Sequence, residues 1–336
     1  MNFFIKDKNT VDIKKWGDFV LTHPHGNIFQ TPEMFEVYSL SKKHEPILVC
    51  VEDSNNDILG ILLAVILKEY DGILGFFSSR SIISGGPLIK DDNKDVLDFL
   101  LQEYVRRIKH KAIYSQFRNF RDWGIAKKGY ENHGFLFEEH LNILIDLAEK
   151  DDELWNACSR DRKKNIKKGL SSLTIEEIDM LKSMDEIYSL LFRVYNRIKL
   201  PIPNKSFFLN AFQALGDSGY LRTFGAYKDS SFVGVRLVLC YKERIYDWYA
   251  GADDSFLEYR PNDVLPWHIF LWGKQNGFKV FDFGGAGKPN KPYGVRDYKL
   301  KFGGELVNFG RFELVHKPLI YKIAKFGFKI YQLIGK

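Results

Sequence analysis

The first half of the chain sets long apolar runs against short polar breaks. Residues 46–52 and 58–70 are apolar and are separated by Asp53-Ser-Asn-Asn-Asp57, turn chemistry that predicts a β-hairpin. A further apolar stretch at 73–78 predicts another strand, and 78–87 reads as a loop in which Arg80 faces a cleft or plain solvent. Upstream, Thr31 followed by Pro32 has the form of a helix N-cap and first helical position. At 96–108 the period changes. Val96, Leu97, Leu100, Leu101, Tyr104 and Ile108 recur at helical spacing, with Arg106, Arg107 and Lys109 at the end where the helix dipole favours cations. A strand at 112–117 follows.

The second half repeats this plan. Runs at 220–227 and 231–241 flank Lys228-Asp-Ser and predict a hairpin, 244–251 a third strand, 264–276 a helix through Leu265, Ile269 and Trp272, and 279–283 a closing strand. Two copies of a hairpin–strand–helix–strand unit predict tandem α/β domains with mixed sheets. Between them lie a basic run, 160–168, and an amphipathic helix at 187–198. The expected division is 1–150 and 151–316, followed by a Lys-rich amphipathic helix at 317–336. On that helix Ile320, Ile323, Phe326 or Phe328, Ile330 and Leu333 share a broad face. This face either docks on the protein's own body, packing back on the first domain, or lies on a membrane surface.

Composition narrows the class. A length of 336 residues fits two domains. Aromatic residues reach 15%, with 28 Phe and 17 Tyr, which suits a packed β-rich core or a groove lined by flat side chains. No run approaches the ~20 apolar residues that cross a bilayer, and the N-terminus lacks the apolar region of a secretion signal; a soluble, cytoplasmic protein is expected. Cys50, Cys158 and Cys240 are an odd, scattered set, which argues against a disulfide framework and for buried, inert thiols in a reducing compartment. The net charge of +6 favours anionic partners without choosing among tRNA, a nucleotide-linked precursor and an acidic surface.

Candidate chemistry concentrates at 281–305, where a strand runs into Gly284, Gly285 and Gly287 and a second glycine pair follows at Gly303-Gly304. A phosphate loop fails because Gly287-Lys288 is followed by Pro289, and the dinucleotide fingerprint lacks its third glycine. Within the segment, Tyr298-Lys299-Leu-Lys301-Phe302 couples cations with aromatics. A lysine beside an apolar pocket stabilises the oxyanion formed when an acyl carbonyl is attacked; the same residues also fit an exposed strand with Lys299 and Lys301 turned to water. The basic run at 160–168 either tracks a phosphate backbone or forms a solvated helix face. His23-Pro-His25 lacks further ligands at zinc spacing, so no metal is expected.

Asp282-Phe-Gly-Gly285, Tyr298-Lys299, Phe302-Gly-Gly304 and Gly310-Arg311 together resemble the C-terminal motif of the Fem-type aminoacyl transferases. The similarity extends to 27–32, to Arg162-Lys-Lys-Asn-Ile-Lys-Lys168 and to Tyr246-Asp-Trp-Tyr-Ala-Gly251. The resemblance implies two tandem GNAT-type domains and transfer of an amino acid from aminoacyl-tRNA to an amine of a peptidoglycan precursor, with no cofactor. It implies Lys299 as the catalytic cation with Tyr298 as its partner. It further implies Tyr249, Trp248, Arg197, Asp282, Gly284, Gly285 and Arg296 as substrate-binding residues. The chain departs from the family in having no room for the helical arm that some members insert. It also departs from ordinary GNAT enzymes: Tyr259-Arg-Pro-Asn262 replaces the glycine-rich acyl-CoA loop. Two readings stand beside aminoacyl transfer: a CoA-dependent N-acyltransferase acting on an amino sugar, and a non-catalytic module that holds tRNA or an envelope glycan. The proton acceptor for the amine is sought at Asp282, at Asp247 or on the donor itself.

Overall fold

A computed structural model describes residues 3–69 and 72–334, with side chains described except at 73, 74, 76 and 327–334. In chain order the elements are β1 (Phe4–Lys6), α1 (Ile13–Thr22), α2 (Pro32–Ser39), β2 (His44–Glu52), β3 (Ile58–Leu67), α3 (Gly72–Phe77), β4 (Arg80–Ser84), β5 (Leu88–Ile89), α4 (Lys94–Ile108), β6 (Tyr114–Arg118), α5 (Lys127–Asn132) and β7 (Leu136–Glu138). They continue with β8 (Asn142–Asp146), α6 (Asp151–Ala157), α7 (Arg160–Leu170), β9 (Thr174–Glu177), α8 (Met184–Arg197), α9 (Lys205–Leu215), β10 (Leu221–Lys228), β11 (Ser231–Tyr241) and β12 (Arg244–Ala252). The last are α10 (Pro261–Gln275), β13 (Val280–Gly285), α11 (Gly294–Leu300), β14 (Glu305–Val307), β15 (Arg311–Val315) and α12 (Pro318–Ile334). Among the described residues no helix is long and apolar enough to cross a membrane. The tandem α/β plan with mixed sheets stands.

The chain forms two compact units, Met1–Glu139 with Phe309–Lys336, and His140–Asn308. The expected cuts at 150 and 316 therefore move, for a reason of strand pairing. β8 precedes residue 150 yet pairs with β13 and β14, whereas β15 precedes residue 316 yet lies between β6 and β7. The C-terminal strand and helix thus group with the first unit. Neither exchange of a strand leaves a local mark in the sequence.

In the first unit the sheet order is β1-β2-β3-β4-β6-β15-β7, with β5 beside β3. β3, Ile-Leu-Gly-Ile-Leu-Leu-Ala-Val-Ile-Leu, is buried along nearly its whole length, which explains why it reads as one apolar run rather than an alternation. Thr31 caps α2 through its hydroxyl, which accepts from the Met34 N–H at 3.2 Å, with Pro32 in the first turn. The strand expected at 73–78 is instead the short helix α3, which opens at Gly72 with φ 61°. The strand comes one step later, at β4 inside the stretch read as a loop, where Ile82 and Ile83 are buried. There Arg80 is paired with Glu69 at 2.7 Å. The four apolar residues of 73–77 suit a helix or a strand equally, and periodicity cannot arbitrate so short a run.

The second unit has the order β14-β8-β13-β12-β11-β10-β9. Register assigns its helices to faces. An added Cβ at Gly234 would meet Pro261 and Leu265 of α10, while one at Gly251 would meet Leu191 and Val194 of α8. Gly251 pairs with Val235, the neighbour of Gly234, and successive residues of a strand point to opposite faces. α10 and α8 therefore cover opposite sides of this sheet. All three cysteines are free and buried; burial pushes Cys50 and Cys240 up to about 12 and Cys158 up to about 11, leaving them unreactive as thiolates.

β15 is fastened by Phe312, fully buried and stacked on Tyr130 with ring centroids 4.0 Å apart and planes 3° from parallel. Phe312→Ala is expected to destabilise the first unit by about 3–5 kcal/mol through lost burial and the cavity left behind. Urea denaturation followed by a probe in that unit checks this; a loss under about 1 kcal/mol would show that the returning strand adds little.

Candidate active site

Two breaks in the second sheet shape the site. β12 and β13 run parallel, but their pairing ends at Tyr246↔Asp282, although both strands continue beyond it. On the other side of β12, Leu237 pairs with Tyr249 and the next residue, Val238, pairs with Asp247, so Trp248 is an extra residue, a β-bulge. Strict alternation would put Asp247 on the same face as Tyr249. The bulge moves it to the opposite face, because Asp247 takes the register of Val238, which shares a side with Arg236 and Gly234. That is the face covered by α10.

Asp247 there meets Arg236, whose Nη1 donates to Oδ2 at 3.0 Å. Arg236 is 4% exposed, an arginine inside the otherwise apolar run Val233–Leu239. Asp247 Oδ1 and Arg236 Nε are both buried without a hydrogen-bond partner. Buried polar atoms of this kind carry a desolvation penalty, so they mark a place shaped for something other than packing.

Lys299 stands beside this pair. It lies on α11, and its Nζ donates to the carbonyls of Phe283 at 2.6 Å and Gly285 at 2.9 Å, residues just past the last β12–β13 pair. An ammonium has three donors, so one remains for a ligand. Burial lowers the Lys299 pKa from the ordinary lysine value; the Asp247 carboxylate opposes this, Arg236 reinforces it, and Asp282 opposes it in turn. The exposed-strand reading of 298–301 is thereby corrected. Tyr298 and Phe302 recur at helical spacing and their rings pack edge to face at 5.7 Å, so the segment folds as a helical turn.

The other expected residues separate into two groups. Tyr298 anchors α11: its hydroxyl donates to the Asn262 carbonyl at the start of α10, and its ring faces the core. Asp282 is 2% exposed; its Oδ1 accepts from the Gly284 N–H at 2.7 Å and its Oδ2 faces Arg244 at 3.4 Å, while burial raises its pKa. It holds the turn at Gly284, where φ is 69° and a Cβ would strain the backbone. Gly285 is exposed and supplies a carbonyl to Lys299. The Arg296 guanidinium donates to the carbonyls of Lys288 and Lys291, fastening the loop before α11. These five residues share the neighbourhood of Lys299. Trp248 and Tyr249 lie across the sheet, against Phe207 and Phe208 of α9 and, for Tyr249, Tyr195 of α8. Arg197, at the end of α8, pairs with Asp254 at 2.9 Å. The structure does not bring these three to the Lys299 face.

Sequence reasoning gave Arg236 no role and read Arg162 only as one cation of the basic run. Arg162 sits in the basic run but is 3% exposed, so this run is not wholly solvated. Its guanidinium lies 4.0 Å from the Phe302 ring centroid and 4.5 Å from that of Tyr298, pairs with Asp263 of α10, and donates to the Tyr298 carbonyl at 2.7 Å. It locks α7, α10 and α11 together beneath Lys299. Its neighbours Arg160, Lys164, Lys167 and Lys168 are exposed. A signal existed for Arg236, a charge within a buried strand, which demands a partner. Among the described residues no group of three or more acidic, histidine or cysteine side chains is placed to hold a metal.

Because the Asp247 carboxylate favours the charged lysine, Asp247→Asn should lower the Lys299 pKa further. Titration of isotope-labelled lysine by NMR, with Lys299→Met to assign the resonance, reads the midpoint. An unchanged or higher value in the variant would disconnect the two residues.

Residues 156–300 match a family described as an acetyltransferase (GNAT) domain, a span that contains Arg162, Arg236, Asp247 and Lys299. No curated protein matches the chain by sequence. Among solved structures, FemX superposes with a TM-score of 0.73 at 16% identity, covering 96% of this chain and 99% of its own. A tandem GNAT protein from the clavulanic acid biosynthesis pathway gives a TM-score of 0.59 at 10% identity, with 94% and 99% coverage. L-PGS from Bacillus licheniformis gives 0.57 at 13% identity, with 94% and 96% coverage. With an acetyltransferase-domain match in one unit and whole-chain superposition on FemX, this chain has the Fem-type tandem GNAT fold.

Proposed function

We propose that this protein transfers an aminoacyl group from aminoacyl-tRNA to an amine of a cell-wall precursor peptide or envelope glycan, with the chemistry in the second unit. The observation that carries the reading is the Lys299 ammonium, tethered by two carbonyls where β12 and β13 part, with its charge partly desolvated. The neutral acceptor nitrogen attacks the ester carbonyl carbon, and the former carbonyl oxygen becomes negative. Lys299 donates its remaining N–H to that oxygen. As the tetrahedral intermediate collapses, the bond to the ribose oxygen breaks and an amide bond remains. The proton lost by the nitrogen passes to the free oxygen of Asp247 and from there to the departing ribose oxygen, so charge and atoms balance.

Two features favour a tRNA ester over acyl-CoA. The start of α10 is a poor anion cradle: Pro261 has no N–H, and Asp263 places a carboxylate in the first turn. α7 meanwhile presents Arg160, Lys164, Lys167 and Lys168 to solvent on the helix whose buried Arg162 underlies Lys299, a cationic face suited to a phosphate backbone.

Incubation of the purified protein with a charged-tRNA mixture or acyl-CoA, together with candidate precursors, followed by mass spectrometry, identifies donor and acceptor at once. The expected result is a mass gain of one amino acid with charged tRNA. A gain only with acyl-CoA would assign the alternative, a CoA-dependent N-acyltransferase. Ligand retention without product would mark a binding module. Lys299→Met is expected to lower turnover by roughly 10²–10³-fold while leaving the circular dichroism spectrum unchanged; near-normal turnover would remove Lys299 from the reaction.

A further inference from the structure

α12 exposes a stripe of large apolar side chains. Leu319 is 78% exposed, Ile323 70% and Phe326 67%, at intervals of four and three that stack on one helix face. The helix cannot turn this face inward. On its other side the Tyr321 hydroxyl donates to the Glu313 carboxylate, and the Tyr321 ring packs on Tyr114 with centroids 5.2 Å apart. The backbone entering the helix is tied down as well, His316 and Lys317 both donating to the Ile113 carbonyl at 2.8 and 3.1 Å. Docking on the unit's own body and an outward apolar stripe are therefore two faces of one helix. They coexist.

Charge selects the occupant. From residue 317 to the end the sequence holds Lys317, Lys322, Lys325, Lys329 and Lys336 and no acidic residue. Lys322 borders the stripe and is exposed, and Lys325, also exposed, lays its ammonium over the Tyr321 ring at 4.3 Å from the centroid. A second copy of the helix laid on the first would set lysine against lysine with no carboxylate to receive it. An anionic bilayer takes the apolar side chains below its headgroups and the ammonium groups among its phosphates. We infer that the Leu319–Ile323–Phe326 face of α12 is a peripheral docking surface for an anionic lipid bilayer. The surface is built from residues of the first unit and stands independently of the chemistry proposed for the second.

Vesicle sedimentation of the full chain tests this. Binding is expected to vesicles containing about one third phosphatidylglycerol and is expected to be at least tenfold weaker to phosphatidylcholine alone. Combined Ile323→Glu and Phe326→Glu should weaken binding to the anionic vesicles about tenfold or more, as should combined Lys322→Glu and Lys325→Glu, with circular dichroism spectra unchanged. Phe326→Trp, which keeps an apolar ring, should bind like the wild type and shift its emission to the blue on adding anionic vesicles. Lys299→Met should bind normally, which separates this surface from the catalytic reading. Absence of binding to anionic vesicles, or binding indifferent to Ile323→Glu and Phe326→Glu, would overturn the inference. So would a dimer in ultracentrifugation that those two substitutions dissolve, since the stripe would then belong to a second copy.

Discussion

A sheet that is paired along its whole length offers a ligand nothing but side chains. In the second unit two interruptions meet within a few residues: β13 stops pairing with β12 after Asp282, and β12 carries an extra residue at Trp248. The first leaves the Phe283 and Gly285 carbonyls to be met by a lysine rather than by a neighbouring strand. The second turns Asp247 toward Arg236 and Lys299 instead of toward Tyr249. Remove the bulge, and a carboxylate leaves the site while an indole enters it.

Such a charge cluster is costly to bury, and its surroundings show how the cost is offset. Lys299 reaches its carbonyls only because α11 is held from below and from both ends. Arg162 grips the Tyr298 carbonyl and stacks on Phe302, Tyr298 reaches α10, and Arg296 ties the preceding loop. At the exit from α11, Gly303 has φ 87°, and a Cβ there would stand 2.4 Å from the Ala157 side chain, so only glycine permits α6 to approach. The helix that carries Arg162 also carries the exposed cations of the basic run. One short segment thereby serves packing on one face and charge presentation on the other.

The first unit follows a different logic. Its chain leaves at Glu139 and re-enters at Phe309, after the 169 residues of the second unit, to form β15 between β6 and β7. A strand that closes so distant a loop needs strong tertiary contacts, and the Phe312–Tyr130 stack supplies one of them. The helix that follows inherits a fixed rotation from Tyr321 and from the Ile113 carbonyl, and that rotation leaves its apolar stripe in water.

Local pattern carried the elements with strong periodicity. The hairpins β2–β3 and β10–β11, the helices α4 and α10, and the cap at Thr31 were legible because each depends on neighbours within a few residues. Lys299 was legible as a candidate through its motif, and Asp247 as a possible proton acceptor. The side of the sheet each occupies was not. Nor were α3 in place of a strand, the interior position of Arg162, or the pairing of β8 and β15 across the expected domain limits. An i, i+4 interval or an alternation is written in adjacent letters, whereas strand partners and a one-residue bulge are set by which distant segments bury each other best. That is why sequence alone determined the tandem α/β plan and a cationic candidate, and only the tertiary structure decided which charges meet.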